Sequence, residues 1–546
     1  MTTINDAYIN ALLADASYVN NLLPNQTGAN LAVLLAKRMT QELADFIGLN
    51  FTVVTQASGY ASSFDAIVWR GNTGTAFAGQ VYVSMRGTQG TTDIAADADL
   101  ATTGLAREQL ADMVNWWMRA TTSPLTNAAQ INKDFALVTS APGTGTLTSI
   151  GAIKSVNGHS LGGYLASAFV RLFGAAWPVG SVNTFNSAGF SRLAASNIEI
   201  GFNQISQRIG AGLGLRGFSN AQNNYYAQNG INLTTNTWDP IGFAQYGTRI
   251  PLYQENLTPS VINNHYMYKL TDLLALGNAL EKLDTSLSLT KLASLVSAGS
   301  NRMEGSYEGV LDGLRRLFAG ASAATTLIGD ANSDGLQPAA RQDFHTNLTN
   351  LEQSAAFKAL IGKVLIQVGG RDLASRARND FGALAALLNL SPIWITGNGI
   401  DDGPLNSLWS SGAWTTQRSV WQADRSMSQQ DLDAGKQTYT DNWLDDRASM
   451  VSAVVRYNQS DSIGNLAPAL TRGPNQITYS DADTGVYLTV RNDGSQPRTF
   501  VKFGGGGGEA LTGGTVEDRL YDGAGSGVTR SSAAVGRAEA SAPIFH

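Results

Sequence analysis

The feature that most restricts the fold is the run Gly158-His159-Ser160-Leu161-Gly162, which stands between two apolar segments. The residues before it, AIKSV, predict a short strand, and the residues from Leu161 to about Phe173 predict a helix. Glycines on both sides of the serine fit a turn too sharp for side chains. Because a strand, a tight turn and a helix follow one another directly, we expect an α/β fold.

The rest of the first 290 residues alternates in the same way. Short β-branched or aromatic runs bounded by Gly, Ser and Asn predict strands at 51–55, 66–69, 80–85 and 181–185. Helical spacing of apolar residues predicts helices at 29–46, 104–120 and 268–283, with Gly48 closing the first. Residues 186–230 are predicted as a Gly- and Asn-rich connection. Residues 1–290 are therefore predicted to form one α/β domain with a mostly parallel sheet.

Two further regions differ in composition from this domain. Residues 291–470 show Ala and Leu periodicity with little strand signal, which predicts a mainly helical region. Residues 471–546 alternate like strands at 477–492 and then become Gly-rich, with Gly recurring every nine residues. We therefore predict three domains, at 1–290, 291–470 and 471–546.

Composition excludes several classes of protein. The formal charge of -6 and the lack of a long Lys/Arg run argue against a nucleic-acid partner, whose phosphates require a basic face. The absence of cysteine excludes disulfides, thiol nucleophiles and cysteine metal sites. No apolar stretch is long enough for a transmembrane segment. The first residues, MTTINDAYINALLADASY, do not resemble a secretory signal peptide, so we expect any export to use another route.

A nucleophilic serine needs a base, and the chain has only four histidines. His159 is held in the turn beside the serine, where adjacent side chains point in different directions. His546 is the last residue and is expected to be mobile. Neither is therefore favoured as the base. His345 lies in a polar segment far from the α/β pattern and is predicted to be a surface or interdomain histidine. His265, just ahead of a predicted helix, is the predicted general base for Ser160.

The base in turn needs a carboxylate that orients its ring. In α/β hydrolases this acid usually lies between the serine and the histidine in the sequence. Three acids meet that condition: Glu199, Asp239 and Glu255. Asp239 is favoured because the following proline ends an extended segment, as expected at the edge of a sheet. The other two lie in polar contexts that predict solvated loops.

Acyl transfer also requires N–H donors for the developing oxyanion. One is expected from the residue after the nucleophile, Leu161, and the other from the end of an early strand. The strand ending in Arg86-Gly87-Thr88 makes Thr88 the second candidate. A simple strand-ending turn is the alternative interpretation of this segment.

Taken together, these motifs resemble the class 3 lipases, a family of triacylglycerol lipases and related phospholipases A1, and the resemblance implies an α/β-hydrolase fold for residues 1–290. The resemblance covers roughly residues 45–285 and implies Ser160, Asp239 and His265 as a catalytic triad, with Thr88 as an oxyanion donor. The disulfides common in the family are absent. The matching segments are VSMRGT at 83–88, DIAADADL at 93–100, VNGHSLGG at 156–163, TFNSAG at 184–189, WDPIG at 238–242 and HYMYKL at 265–270.

The C-terminal tail resembles the calcium-binding nonapeptide repeats of RTX proteins. Gly504–Thr512 and Gly513–Tyr521 match two degenerate units, with Glu509 and Asp518 at the positions of the calcium ligands. The resemblance implies a secreted, extracellular bacterial protein exported by type I secretion machinery, in agreement with the missing signal peptide. A flexible Gly-rich tail is the alternative.

A second calcium candidate lies at 330–335, within the predicted helical region. Asp330, Asn332 and Asp334 copy the first half of an EF-hand loop, but Arg341 stands where the bidentate Glu should be. A polar turn is therefore the favoured interpretation, and a looser calcium site is the alternative. Neither calcium site would take part in the chemistry at Ser160.

The sequence thus predicts a serine carboxylic ester hydrolase that acts without a catalytic cofactor, with calcium only as a structural ion. The expected substrate is an acylglycerol at a lipid–water interface. A phospholipase A1 or lipolytic toxin would use the same triad and is the first alternative. A non-catalytic, calcium-binding RTX surface protein is the second.

Overall fold

The structure is a computed structural model that describes most of the chain. It describes residues 3–87, 105–191, 195–214, 221–228, 243–253, 265–299, 306–320, 339–397, 403–410, 412–459, 476–490, 498–505, 511–513, 518–521 and 528–531. The chain divides into two compact units. The first comprises Met1–Asn278 and Asn332–Thr346, and the second comprises Ala279–Ala331 and Asn347–His546.

These units do not coincide with the three predicted domains. The first unit includes Asn332–Thr346, which the sequence analysis assigned to the helical region. The second unit contains the rest of that region together with the Gly-rich tail. The three-domain division stays a prediction, because compactness alone does not test which parts fold independently.

The first unit contains a seven-stranded sheet in the order β1-β2-β3-β6-β7-β9-β11. The five strands from β3 to β11 pair in parallel, whereas β1 and β2 pair antiparallel at one edge. This is the mostly parallel sheet with helices that the sequence predicted. The strands of the unit are β1 Phe51–Ala57, β2 Ala66–Gly71, β3 Val81–Met85, β4 Asn127–Ile131, β5 Leu137–Pro142, β6 Ile153–His159, β7 Val179–Phe185, β8 Phe190–Ser191, β9 Gln222–Ala227, β10 Phe243–Ala244 and β11 Thr248–Leu252.

Helices cover this sheet because their apolar stripes must be buried. Trp117 and Phe169, on two different helices, pack with ring centroids 4.6 Å apart in the core. Burying a side chain of this size stabilises the fold by about 2 kcal/mol. The helices that begin in the first unit are α1 Ile4–Ala16, α2 Gly28–Leu35, α3 Gln41–Asn50, α4 Arg107–Thr121, α5 Leu161–Phe173, α6 Ala195–Ile209, α7 Met267–Leu283 and, from its second segment, α10 Ala339–Gln353.

The predicted helix at 29–46 is wrong as a single helix. The apolar stripe continues through this segment, but the backbone turns between α2 and α3. Gly48 does not close the pattern, because α3 continues through it to Asn50. A Cβ at this position would lie 2.5 Å from the carbonyl oxygen of Gly28. The glycine therefore allows two short helices to approach closely.

The predicted connection at 186–230 is also wrong, because it contains α6 and β9. The strand β9 has the sequence QNNYYA, and its amide side chains concealed the strand pattern. Asn224 is buried and accepts a hydrogen bond of 2.8 Å from the Thr184 hydroxyl on β7. Side-chain pairing between strands thus replaces the apolar contacts on which the prediction relied.

The second unit is mainly helical, with a two-stranded sheet and a five-stranded sheet. In the larger sheet, Phe503 pairs in parallel with Tyr521, 18 residues further on and twice the period of the glycines. The helices that begin in this unit are α8 Leu289–Gly299, α9 Ser306–Ala319, α11 Ala355–Leu360, α12 Leu373–Ala377, α13 Phe381–Leu388, α14 Gly403–Trp409, α15 Thr415–Arg425, α16 Gln429–Asp433 and α17 Asp441–Gln459. The strands are β12 Val364–Val368, β13 Ile393–Gly397, β14 Gln476–Asp481, β15 Tyr487–Val490, β16 Arg498–Phe503, β17 Asp518–Tyr521 and β18 Val528–Ser531.

No helix within the described ranges combines the length and the apolar character that crossing a bilayer requires.

Candidate active site

Ser160 occupies a sharp turn between the end of β6 and the start of α5. Its backbone has φ 57° and ψ -127°, a conformation that residues with a side chain rarely adopt. Such strain costs on the order of 1–3 kcal/mol and persists only where the surroundings enforce it. Here the Ser160 N–H donates to the Phe185 carbonyl at 3.0 Å, and the Gly163 N–H donates to the Ser160 carbonyl at 3.0 Å.

Two glycines allow this turn to close on its neighbours. A Cβ on Gly158 would lie 2.2 Å from the carbonyl oxygen of Gly162, on the other side of the turn. A Cβ on Gly87, just after β3, would lie 2.7 Å from the His159 carbonyl oxygen and 2.9 Å from the Ser160 Cβ. The chain at the end of β3 therefore packs directly against the serine, and no larger residue fits there.

His265 lies beside the serine, just before α7. Its Nε2 atom is 2.8 Å from the Ser160 Oγ atom, although the two residues are 105 positions apart in the chain. A neutral imidazole nitrogen at this distance can accept the hydroxyl proton as the oxygen attacks an electrophile. The structure thus brings together the serine and the histidine that the sequence analysis selected.

The carboxylate predicted for this site, Asp239, lies outside the described residues, as does Glu255. Glu199 is described, and it lies in α6. The prediction of a solvated loop for Glu199 is therefore wrong. Its Oε2 atom is 2.9 Å from the Arg171 guanidinium, and both side chains are largely buried. Because the Glu199 carboxylate is paired with Arg171, it is not the favoured partner for His265.

Of the two predicted oxyanion donors, Thr88 lies outside the described residues. Leu161 is the first residue of α5 and is buried. The N–H groups at the start of a helix have no carbonyl partner within the helix, and the helix dipole favours negative charge near them. The Leu161 N–H is therefore chemically suited to receive a developing oxyanion.

Three residues near the site were not selected by the sequence analysis: Tyr18, His159 and Asn186. The Tyr18 hydroxyl lies 2.7 Å from His159 Nδ1, and His159 Nε2 lies 2.7 Å from the His265 carbonyl oxygen. Asn186, in the left-handed region with φ 40°, donates from Nδ2 to the same carbonyl at 3.3 Å. His159 stands in the turn motif GHSLG and Asn186 stands in TFNSAG, so both had a sequence signal. Tyr18 had none, because it is 141 positions from His159.

His345, predicted to be a surface or interdomain histidine, is buried in the first unit with only 2% exposure. Its Nε2 atom is 2.7 Å from Asp272 Oδ1, and the same carboxylate binds the buried Arg341 guanidinium at 2.7 Å through both oxygens. The surface interpretation is wrong because the Asp272 carboxylate provides a buried hydrogen-bond partner for both His345 and Arg341. No contact between His345 and Ser160 is described.

Among the candidate calcium ligands, only Asp518 belongs to the described residues. It is buried in β17, and its Oδ1 atom accepts a hydrogen bond of 2.8 Å from the Phe500 N–H. This bond gives the carboxylate a role within the sheet. Within the described ranges, no group of three or more His, Cys, Asp or Glu side chains is arranged to hold a metal ion. Calcium binding at Glu509 and Asp518, or at Asp330, Asn332 and Asp334, stays a prediction.

Comparison with known proteins gave matches only at the level of structure. No protein-family model matches the chain, and no curated protein matches it. The Lip2 lipase from Yarrowia lipolytica is similar at 16% identity and a TM-score of 0.26, covering 48% of this chain and 92% of the lipase. A triacylglycerol lipase described as having a serine protease triad is similar at 14% identity and a TM-score of 0.24, covering 46% of this chain and 80% of its own. At such TM-scores the likeness carries no argument about activity.

Proposed function

We propose that this protein is a serine carboxylic ester hydrolase with Ser160 as nucleophile and His265 as general base. The observation that carries the proposal is the 2.8 Å separation of Ser160 Oγ and His265 Nε2 at a turn with a strained serine. A strained residue in direct contact with a base is typical of functional sites, because a purely structural serine needs neither feature.

The proposed reaction has two steps. Ser160 Oγ attacks the ester carbonyl carbon while its proton moves to His265 Nε2. The carbonyl π electrons move to the oxygen, which the Leu161 N–H stabilises, with the Thr88 N–H proposed as a second donor. When the C–O bond to the alcohol breaks, His265 returns the proton to that alcohol. Water then attacks the acyl-enzyme by the same route and releases the acid and the free serine.

We assign the orienting carboxylate to Asp239. Glu199 is bound by Arg171, which removes one of the three acids between Ser160 and His265 in the sequence. Glu255 stays the alternative, and the proline after Asp239 favours the latter. An ionised carboxylate at His265 Nδ1 would hold the ring in the tautomer that leaves Nε2 free to accept the serine proton.

The finer assignments rest on sequence resemblance. The motifs at 156–163 and 265–270 resemble those of class 3 lipases, so we propose a lipid ester as substrate, with an acylglycerol preferred to a phospholipid. The Gly-rich tail is the basis for proposing calcium binding and secretion by a type I system. Comparing the thermal unfolding temperature in calcium and in chelator would test the calcium proposal, which predicts a higher temperature in calcium.

The test compares the wild-type protein with Ser160→Ala and with Ser167→Ala, a control serine two turns into α5 whose Oγ bonds to the Gly163 carbonyl. We would measure hydrolysis of p-nitrophenyl esters from C4 to C16, of emulsified triolein and of phosphatidylcholine. We expect Ser160→Ala to lower kcat on the order of 10⁴- to 10⁶-fold and Ser167→Ala to retain it.

A fluorophosphonate probe provides a second measurement that does not depend on the choice of substrate. It should label Ser160 in the wild-type protein, and mass spectrometry should locate the label on the peptide that contains this residue. Absence of turnover on every ester, together with absence of labelling, would contradict the proposal and favour the non-catalytic alternative.

A further inference from the structure

His159 links two parts of the first unit through its two ring nitrogens. It lies at the end of β6 and is only 3% exposed. Its Nδ1 atom is 2.7 Å from the Tyr18 hydroxyl, just beyond α1, and its Nε2 atom is 2.7 Å from the backbone carbonyl of His265. The ring is thus bonded on one side to the N-terminal segment and on the other to the proposed general base.

The chemistry of these partners determines where the protons lie. A carbonyl oxygen can only accept, so His159 Nε2 must carry the hydrogen. Burial is the main reason that the pKa of His159 lies well below its ordinary value, and the neighbouring His265 lowers it further. The ring is therefore neutral, and Nδ1 accepts a hydrogen bond. The Tyr18 hydroxyl must therefore donate, and burial raises its pKa to about 12, so it keeps its proton.

We propose that His159 is a positioning residue that holds His265 in place through the His265 backbone carbonyl. This inference rests on the proposed function. The Asn186 amide donates to the same carbonyl at 3.3 Å, so two side chains hold that peptide group. The His159 and His265 rings are 4.8 Å apart between centroids, and the His265 Nε2 atom lies 2.8 Å from Ser160 Oγ.

The neutrality of His159 matters because His265 becomes positively charged when it accepts the serine proton. A second imidazolium at this distance would repel that charge, the more strongly because the His159 ring is buried. The charged groups that act on Tyr18 are paired: the Arg38 guanidinium, 4.3 Å from the centre of the Tyr18 ring, pairs with Asp15 at 2.7 Å, and Arg86 pairs with Asp65. The link from Tyr18 through His159 therefore positions His265 without adding charge.

The test uses three variants that interrupt or preserve this link. Tyr18→Phe removes the donor to His159, and His159→Leu removes both hydrogen bonds. His159→Gln keeps an N–H for the His265 carbonyl and an oxygen for the Tyr18 hydroxyl. The control is Tyr82→Phe, which removes a buried tyrosine hydroxyl bonded at 2.7 Å to Gln80 in the same unit.

On a soluble p-nitrophenyl ester, we expect Tyr18→Phe and His159→Leu to lower kcat on the order of 10- to 100-fold with KM unchanged, as for a small displacement of a catalytic group. The rate of fluorophosphonate labelling of Ser160 should fall in parallel. His159→Gln should recover most of the loss, and Tyr82→Phe should match the wild-type protein. Unchanged kcat in folded His159→Leu, or an equal loss in His159→Gln and His159→Leu, would overturn the proposal.

A spectroscopic measurement separates this proposal from the proposed function. With only four histidines, ¹⁵N-histidine NMR of the whole chain can assign each ring through single substitutions. We expect His159 to be a neutral Nε2–H tautomer from pH 5 to pH 8, and we expect the His265 signals to change in Tyr18→Phe. If the wild-type protein hydrolyses no ester, the proposed function fails. The spectrum would still show whether His159 joins Tyr18 to the His265 carbonyl. A His159 ring that is protonated at neutral pH, or that carries its hydrogen on Nδ1, would overturn the inference.

Discussion

His265 and His345 each place Nε2 within 2.8 Å of an oxygen atom in the first unit, but the two oxygens differ in their surroundings. The oxygen beside His265 belongs to Ser160, whose backbone is strained. The oxygen beside His345 belongs to Asp272, which also binds Arg341 through both of its carboxylate oxygens. One histidine faces a group that can react, and the other faces a group whose charge is already neutralised.

This difference separates stability from reactivity along one short stretch of chain. His265 comes just before α7 and Asp272 lies within that helix, seven positions later. The Asp272 group anchors α7 to α10, because Arg341 and His345 are both on α10. The anchor is therefore a contribution to the stability of the fold, separate from the reactive pair formed by Ser160 and His265.

The largest expected effect comes from exchanging the two histidines for alanine. His265→Ala should lower kcat on the order of 10⁴- to 10⁶-fold because the serine loses its base. His345→Ala should leave kcat nearly unchanged in the folded protein and should lower the free energy of unfolding. Steady-state kinetics with urea unfolding would measure both. A large loss of kcat in folded His345→Ala would reverse the roles that we assign to the two residues.

Removing the charge of Asp272 should have the next largest effect, on stability. Asp272→Asn leaves the buried Arg341 guanidinium without its counter-charge, so we expect the free energy of unfolding to fall by about 3–5 kcal/mol. The matched control is Glu108→Gln, because Glu108 and Lys133 form an exposed pair at 3.5 Å and the change should be under about 1 kcal/mol. Equal effects of the two substitutions would remove the distinction between the anchor and an ordinary surface pair.

Adding one methyl group beside the serine should affect activity and leave the anchor intact. A Cβ at Gly87 would meet the His159 carbonyl at 2.7 Å, so Gly87→Ala must displace the turn that carries Ser160. We expect kcat to fall on the order of 100-fold. Gly151→Ala is the control, because a Cβ there meets no atom within 4 Å and kcat should be retained. Retention of full activity by Gly87→Ala would show that the site adapts more freely than the structure implies.

The smallest expected effect is a pH dependence of stability from the anchor. Burial raises the pKa of Asp272, but Arg341 and His345 outweigh it and hold the pKa at about 2, below the usual 3.8. Because the pKa is lower in the folded protein, ionised Asp272 stabilises the fold above about pH 3.8, and this contribution of about 2 kcal/mol is lost as the pH falls towards 2. Urea unfolding between pH 5 and pH 2 should show this component in the wild-type protein and not in Asp272→Asn. Parallel pH profiles for the two proteins would contradict the assignment.

Local signals were sufficient for the centre of the fold. The predicted helix at 161–173 has the bounds of α5, and the predicted strand before it is part of β6, because the apolar patterns there are bounded by glycines. The same reasoning missed α1, which has buried residues on nearly all sides and therefore no polar face to give a helical period. It also missed β9, in which two of the four buried positions, Gln222 and Asn224, are hydrogen-bonded amides.

By itself, the sequence determined which serine and which histidine to consider, because one turn motif and four histidines leave few combinations. Only the tertiary structure decided that His159 joins Tyr18 to the His265 carbonyl, and that His345 is a buried partner of Asp272. These contacts join residues that are 73 to 141 positions apart. Periodicity and turn chemistry report on neighbours along the chain, whereas such contacts depend on how the strands and helices pack together.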